Sequence, residues 1–420
     1  MTASDYVLIL GGEFPLRERV LAGALRASAA KPVFTLAKNR NNNTIKFFDG
    51  YIAADVADPQ GVVDALRQHE KATGQKPFAA IPMNDFTVRS ALAVAKEYGL
   101  HHNHDATVDH CRDKFLMKQR LEAAGLPVPR YGAFTQLTEL RDLANDIGYP
   151  LVIKPRELAG SVGVIKVERA GDLDAAYRQC VADIKVLGGA WKTPEDVFVA
   201  EQYISTTQEV SVEVFNHGDL HRVIAVTDKY LGPEPYFVET GHSVPSVHSE
   251  NSALISIAER ACAALDIRHG MAHFEARITP SGEWRIIEVG ARTGGDAIMD
   301  LVERVYGINP YELHVASYLG QLPALPSRLT PRGLSAVAFL KAPVGRIEKL
   351  GTAGPLPEWV VNLQVTARPL DVSEAPLSWR AREGSVEFFW KTRPPEHGLE
   401  DHLRFARELS TALFQMSALE

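Results

Sequence analysis

The sequence predicts an α/β protein with an open parallel sheet at its N-terminal end and α+β character in its central and C-terminal parts. Three observations lead to this class. The first hundred residues alternate short apolar runs with helical patterns, as βαβ units do. The middle of the chain contains paired strands, Met271–Ile278 and Trp284–Gly290, around a Thr279–Glu283 turn. At 420 residues the chain is long for one domain, and two or three are expected.

Composition narrows the function. Hydrophobic residues make up 45% and charged residues 23%, as in globular proteins with a full core. The net charge of −7 argues against a general nucleic-acid binder and against attraction to an anionic membrane. Cys111, Cys180 and Cys262 lie far apart and form no CxxC pair, so neither a disulfide framework nor a zinc site is indicated. They read as small buried hydrophobes in a reducing compartment. The start, MTASDYVLILGG, lacks the basic region and longer apolar core of a secretory signal, and no apolar run approaches a membrane span. A soluble, cytoplasmic protein with neither nucleic-acid nor membrane partners is expected.

In chain order, Tyr6–Leu10 is an apolar strand ending at Gly11-Gly12, followed by a helical pattern through Ala27. Pro32–Leu36, Gly50–Ala54 and Phe78–Ile81 are further strands, with a helix at Gln60–Glu70, and together they suggest a doubly wound sheet. Gly11-Gly12 lacks the third glycine of a dinucleotide fingerprint and reads better as a tight turn. Asn39–Asn43 is a polar loop. Asp85 is a candidate N-cap for a helix running to Gly99. His101, His102 and His104 follow without the i, i+4 spacing of a helical metal site, which favours a solvated loop. Asp113-Lys114 opens a helix to Ala124, and Pro127 and Pro129 mark a boundary.

The first chemical signal is Tyr149–Lys154, a strand ending in lysine, followed by Ala159-Gly-Ser-Val-Gly163 and a strand at Val164–Glu168. Such a loop, with Gly160, Ser161 and Gly163, can fold backbone N–H groups over phosphate oxygens. Lys154 can neutralise their charge; a flexible hairpin with a surface lysine fits as well. Leu173–Ile184 is a helix and Gly188–Glu195 a loop; Val197–Ile204 is a buried strand, and Glu209–Phe215 and Arg222–Val226 are two more. Lys229–His248 reads as a long irregular segment of the kind that carries function. Asn251–Leu265 is an amphipathic helix.

In the hairpin beyond it, a Ser281-Gly282 two-residue loop sets Glu275 directly opposite Glu288. Like charges in that position repel. A hard divalent cation such as Mg²⁺ between the carboxylates resolves the conflict, and so does a one-residue register shift that sends one glutamate to the far face. After the hairpin, Asp296 is a candidate cap for a helix from Ala297 to Val305, placing free N–H groups near Arg292, Gly294 and Gly295. Pro323–Pro331 reads as a linker. Gly333–Glu420 holds strands at Ser335–Leu340, Val360–Ala367 and Val386–Lys391 and a final helix, Leu399–Ser417, with no evident catalytic constellation.

Taken in this order, the pieces resemble the ATP-grasp superfamily of carboxylate–amine ligases, most of all the L-amino-acid ligases that join two amino acids. The resemblance is detailed from about Asp113 to Asp296 and holds in outline beyond. It implies an ATP-grasp fold with an N-terminal α/β domain over 1–112, an ATP-grasp domain over 113–325 with a lid at about 130–198, and a C-terminal domain over 326–420. It implies that Lys114 and Lys154 contact ATP phosphates and that the Gly160–Gly163 loop closes over them. Glu201, Gln202, Tyr203 and Ile204 match the adenine hinge, and Glu209 matches the ribose contact. Glu275 and Glu288 match Mg²⁺ ligands, with Mn²⁺ as a substitute, and Arg292 matches a residue near the transferring phosphoryl group. Tyr230, Glu239, His242, His273, Gly294 and Gly295 fall on the substrate side. His273 shares a strand face with Glu275 and equally suits a hydrogen-bonded core position. Where many relatives carry Asn two residues after the second glutamate, this chain has Gly290, which leaves a second metal ion short of a ligand.

The activity implied is ATP-dependent amide formation through an acyl phosphate, acting on a small-molecule carboxylate and amine; among such ligases homodimers are common, and the sequence does not fix the oligomeric state. Competing readings are a carboxylase acting on bicarbonate and a nucleotide-binding regulatory protein without chemistry. A dinucleotide-dependent dehydrogenase, from Gly11-Gly12 alone, is more remote.

Overall fold

The computed structural model describes residues 5–12, 18–28, 31–38, 43–187, 197–206, 208–392 and 401–417. The Gly188–Glu195 loop, the Asn39–Asn43 loop up to residue 42 and the first two residues of the expected final helix lie outside that set.

Strand β1 (Tyr6–Leu10) is buried at all five positions, which is why it reads as a continuous apolar run. It pairs in parallel with β2 (Val33–Ala37) and β4 (Pro77–Pro82), and β3 (Gly50–Ala53) extends the sheet in the order β3-β2-β1-β4. Helix α1 (Glu18–Ala27) links β1 to β2, α2 (Pro59–Thr73) links β3 to β4, and α3 (Val88–Tyr98) follows β4. The first residue of α2 is a proline, Asp58 accepts from the Gly61 N–H before it, and Gly74 ends it at φ +73°. Thr87, rather than the expected Asp85, precedes α3, because the Asp85 carboxylate is engaged by Arg292. Helix α4 (Asp105–Arg112) leads into α5 (Lys114–Ala123), whose first N–H groups are capped by Asp113.

A second sheet contains β5 (Tyr131–Phe134), β6 (Leu151–Pro155), β7 (Ile165–Val167) and β8 (Phe198–Gln202), in the antiparallel order β5-β8-β6-β7. Helices α6 (Leu137–Ile147) and α7 (Leu173–Leu187) cover it, and Leu140, Ile153, Cys180 and Phe198 share their core.

The third sheet carries the site. It is built from β9 (Glu209–His217), β10 (Leu220–Leu231), β11 (Glu239–Val244), β12 (His269–Ile278), β13 (Trp284–Gly290) and β14 (Leu334–Leu340). Farther along the chain come β15 (Gly345–Leu350), β16 (Val360–Val365), β17 (Val372–Ser373), β18 (Gly384–Trp390) and β19 (Phe414–Ser417). The eight-stranded order is β13-β12-β9-β10-β11-β14-β18-β16, so one sheet runs across the division expected at 325/326. Strands β17, β15 and β19 form a small separate sheet. Helices α8 (Ser252–Ala264), α9 (Ile298–Tyr306), α10 (Pro310–Tyr318) and α11 (Asp401–Leu413) pack around these sheets.

Three expectations are corrected here. Lys229–His248 is not irregular throughout: β10 continues to Leu231 and pairs with β11, with Lys229 opposite His242. The final helix stops at Leu413, and Phe414–Ser417 turns into β19 against β15. The hairpin turn is longer than two residues, since Ile278 pairs with Trp284 and Ala276 with Ile286. A bulge between Glu275 and Ala276 leaves Ile287 unpaired and restores the register, so Glu275 does face Glu288.

Candidate active site

A cavity of about 560 Å³ lies where the second sheet, the third sheet and the start of α9 converge. Every site residue singled out from the sequence lines it except Gly163 and Tyr230. Gly163, at φ +69°, turns inward, where a Cβ would lie 3.1 Å from Pro155, and its carbonyl accepts from the Cys180 thiol. Tyr230 points to the opposite face from its neighbour Lys229, with its hydroxyl 3.0 Å from Ser243 Oγ and its ring against His402. Lys229 takes the place on the cavity side.

At the α5 end, Lys114 Nζ lies 2.9 Å from Glu288 Oε1 and donates to the Leu158 carbonyl at 2.6 Å. Lys154 Nζ is 2.7 Å from Glu201 Oε1, and Lys118 Nζ is 3.2 Å from the other oxygen of that carboxylate. Lys118, one helical turn beyond Lys114, is fully buried; its desolvation outweighs the attraction of Glu201 and pulls its pKa down to about 8. The same two lysines hold Glu201 below the ordinary carboxylate range against the opposing effect of its burial.

The floor is a charge network on β9, β10 and β12. Residues 209, 211 and 213 of β9 share a face, which sends both Glu209 and Glu213 inward. Lys229 Nζ lies 2.6 Å from Glu275, 2.9 Å from Glu209 and 3.6 Å from Glu239. Burial disfavours its charge, but the carboxylates raise its pKa well above the ordinary lysine value. His273 bridges Glu213 (Nδ1, 2.7 Å) and Glu275 (Nε2, 3.1 Å). Burial again opposes charge, and the two carboxylates prevail, pushing the imidazole up to about 9.

On the far side, Arg292 Nε donates to Asp85 Oδ2 at 2.7 Å, tying the N-terminal unit to the end of β13. Asp296 does not cap α9 as expected. It sits at φ +56°, Ala297 occupies the capping position, and the Asp296 carboxylate meets Arg382 at 2.6 Å and His242 Nε2 at 3.2 Å. Arg382 also binds Glu239 at 3.0 Å and stacks on Phe339, with Cζ 3.6 Å from the ring centroid. The C-terminal stretch, which carries no catalytic motif, thus supplies an arginine to the cavity. Beside the Glu201–Ile204 strand end, Arg277 lies over the Tyr203 ring at 5.2 Å and donates to the Thr206 carbonyl.

The facing carboxylates suit Mg²⁺ only in part. Glu275 and Glu288 are directly opposed, and two carboxylates are a usual protein share when phosphates and water complete the octahedron. Gly290 adds no ligand, and among the described residues no group of three or more His, Cys, Asp or Glu side chains is arranged to hold a metal. The donor set fits an ion that arrives with a nucleotide.

With a parallel N-terminal sheet, a four-stranded antiparallel unit and a long antiparallel sheet around this cavity, the protein has the ATP-grasp fold. Residues 147–300 match the ATP-grasp domain family, so the chain carries an ATP-grasp domain. It is similar to alanine--anticapsin ligase of Bacillus subtilis, with 24% identity over 286 residues, or 62% of this chain and 60% of that one. It is 30% identical to carnosine synthase 1 of Gallus gallus over 224 residues, or 51% of this chain and 23% of that protein. The chain therefore spans less than two thirds of the length of these relatives. Among solved structures, an L-amino acid ligase from Bacillus licheniformis superposes with a TM-score of 0.79 at 20% identity, covering 99% of both chains. No helix among the described residues is long and apolar enough to cross a membrane.

Proposed function

We propose that this protein is an ATP-dependent carboxylate–amine ligase joining an amino acid, or a similar carboxylate, to an amine. The observation that carries the reading is the opposed pair Glu275 and Glu288, each held by its own lysine in one cavity with Lys154 and Arg292. A carboxylate does not react with an amine at neutral pH. Transfer of the γ-phosphoryl group of ATP to a carboxylate oxygen releases ADP and gives an acyl phosphate. The amine nitrogen then attacks the carbonyl carbon, the C–N bond forms, the C–O bond to phosphate breaks, and the amine loses a proton.

In this reading Lys114 and Lys154 bind phosphate oxygens, Glu201–Ile204 holds the adenine, and Glu209 holds the ribose. Glu275 and Glu288 hold Mg²⁺, which when bound neutralises and aligns the phosphates. Arg292, oriented by Asp85, stabilises the acyl phosphate and the tetrahedral intermediate. Of the two histidines facing the substrate side, His273 has both ring nitrogens engaged by carboxylates and is poorly placed to take a proton. His242 keeps Nδ1 without a hydrogen-bond partner. The alanine--anticapsin ligase and L-amino acid ligase similarities support an amino-acid substrate.

The test is mass spectrometry of products from an amino-acid mixture with ATP and Mg²⁺, alongside phosphate release. Amide products with stoichiometric phosphate are expected. Phosphate release unchanged by every amino acid, singly or in pairs, refutes the reading.

A further inference from the structure

We propose that Trp379 is a positioning residue that latches the glycine-rich loop over the cavity; this rests on the ligase reading above for its catalytic consequence. Gly160 sits at φ +67° with its α-carbon against the indole. A Cβ there would fall 2.8 Å from Trp379 Nε1 and closer still to Cδ1, so only a bare α-carbon lets the ring seat on the loop. The neighbouring Ser161 ties the loop on its other side, its hydroxyl donating to the Phe237 carbonyl at 2.7 Å. The loop is thus pinned at two adjacent residues from two different parts of the chain.

Trp379 is not a core residue. Its side chain stays 46% exposed and lines the cavity mouth, so its position is not set by burial in a hydrophobic cluster. It is set by its own segment. Trp379–Ala381 is a single turn begun at Ser378, whose hydroxyl accepts from the Arg380 N–H. Just after that turn, Arg382 is fastened to Asp296 and Glu239, which line the same cavity. The indole is therefore mounted on a support anchored inside the site, and it bears on the loop from the C-terminal side.

The consequence is chemical. An acyl phosphate exposed to water hydrolyses, returning carboxylate and phosphate with no amide formed, and a closed loop excludes that water. Removing the indole leaves Ser161 as the remaining described tie at these two residues. ATP is then still consumed, and a larger share of the intermediate is lost.

The experiment compares wild type with Trp379→Ala, Trp379→Leu and Trp379→Phe. In the protein without nucleotide, backbone N–H groups of residues 158–164 should exchange with deuterium about tenfold faster in Trp379→Ala and Trp379→Leu. Trp379→Phe, which keeps a flat ring, should stay near wild type. In turnover, the ratio of phosphate released to amide formed should rise at least about threefold in the first two variants and be restored in the third, while KM for ATP changes little. Unchanged exchange and an unchanged ratio in Trp379→Ala and Trp379→Leu overturn the latch. If wild type forms no amide at all, the ligase reading fails, and the exchange arm still decides whether Trp379 holds the loop.

Discussion

Acidification should destabilise this protein through one buried histidine, and His314→Gln should blunt the effect. His314 is fully buried on α10, between the N-terminal and the eight-stranded sheets. Its Nε2–H donates to the Pro82 carbonyl at the end of β4, and its Nδ1 accepts from the Met271 N–H of β12, both at 2.8 Å. The imidazole must be neutral to do both. Burial pulls its pKa down to about 4, with the Pro82 carbonyl opposing. The unfolded chain, with a histidine value of 6.5, binds a proton between pH 6.5 and 4 that the folded chain refuses. Stability is therefore fully present above 6.5 and lost as pH falls towards 4. At 1.36 kcal/mol per unit, the full loss from this group is about 3 kcal/mol. His269, also pulled down to about 4 mainly by burial, adds to the fall in both proteins, so the difference between them isolates His314. Urea unfolding followed by circular dichroism at pH 7, 5.5 and 4.5 is the assay. His314→Gln should cost about 1–3 kcal/mol at pH 7 through imperfect hydrogen bonds and then lose less on acidification. Parallel curves for the two proteins would refute the reasoning.

Other substitutions probe the cavity. Glu288→Ala should lower turnover at least about a hundredfold while ATP binding stays measurable by calorimetry, since it removes one of the facing carboxylates and leaves Lys114 in place. Surviving turnover would show that this carboxylate does not serve the phosphates. Glu201→Gln leaves two buried lysines without their shared carboxylate and should cost about 3–5 kcal/mol in denaturant unfolding. Asp85→Asn should reduce kcat about tenfold without altering affinity for ATP, because it loosens the aim of Arg292 and leaves the nucleotide contacts intact. A large loss of ATP affinity would place Asp85 elsewhere in the chemistry.

Much of this site is legible in the sequence, for identifiable reasons. Strand β1 is buried on both faces and shows as an unbroken apolar run, and β2 and β4 are nearly so, which puts their positions within a residue or two. The short strands β5, β15, β17 and β19 offer two to six residues with mixed burial and no such run. Strand β11 escapes notice because Glu239 and His242 are polar residues lining a cavity and Ser243 bonds Tyr230 on the other face, where an apolar alternation would mark an ordinary strand. The Glu275–Glu288 pairing is reached through a turn that is one residue too short, and the bulge at Ile287 cancels that error. Lys229, Glu213, Lys118, Asp85 and Arg382 belong to no motif. Three of them still leave a trace: Glu213 falls in step with Glu209 along β9, Lys118 follows Lys114 by one turn, and Lys229 sits beside Tyr230 on the other face of the strand. Asp85 and Arg382 meet their partners more than 80 residues away, and local pattern holds no record of that.

The eight-stranded sheet has a bearing on how this chain can be shortened. Strand β11 receives one edge of its ladder from β10 and the other from β14, with Gly241–Val244 paired to Ser335–Ala338. A chain ended within Pro323–Pro331 would strip β14, β18 and β16 away together and turn a central strand into an edge. The uncovered N–H and C=O groups of Gly241–Val244 would then face water, or a neighbouring molecule, along a stretch that is buried in the intact protein. Such a truncation is a recipe for self-association. The residues after the linker are the second half of a wall, and the reaction chamber has no weatherproof side without them.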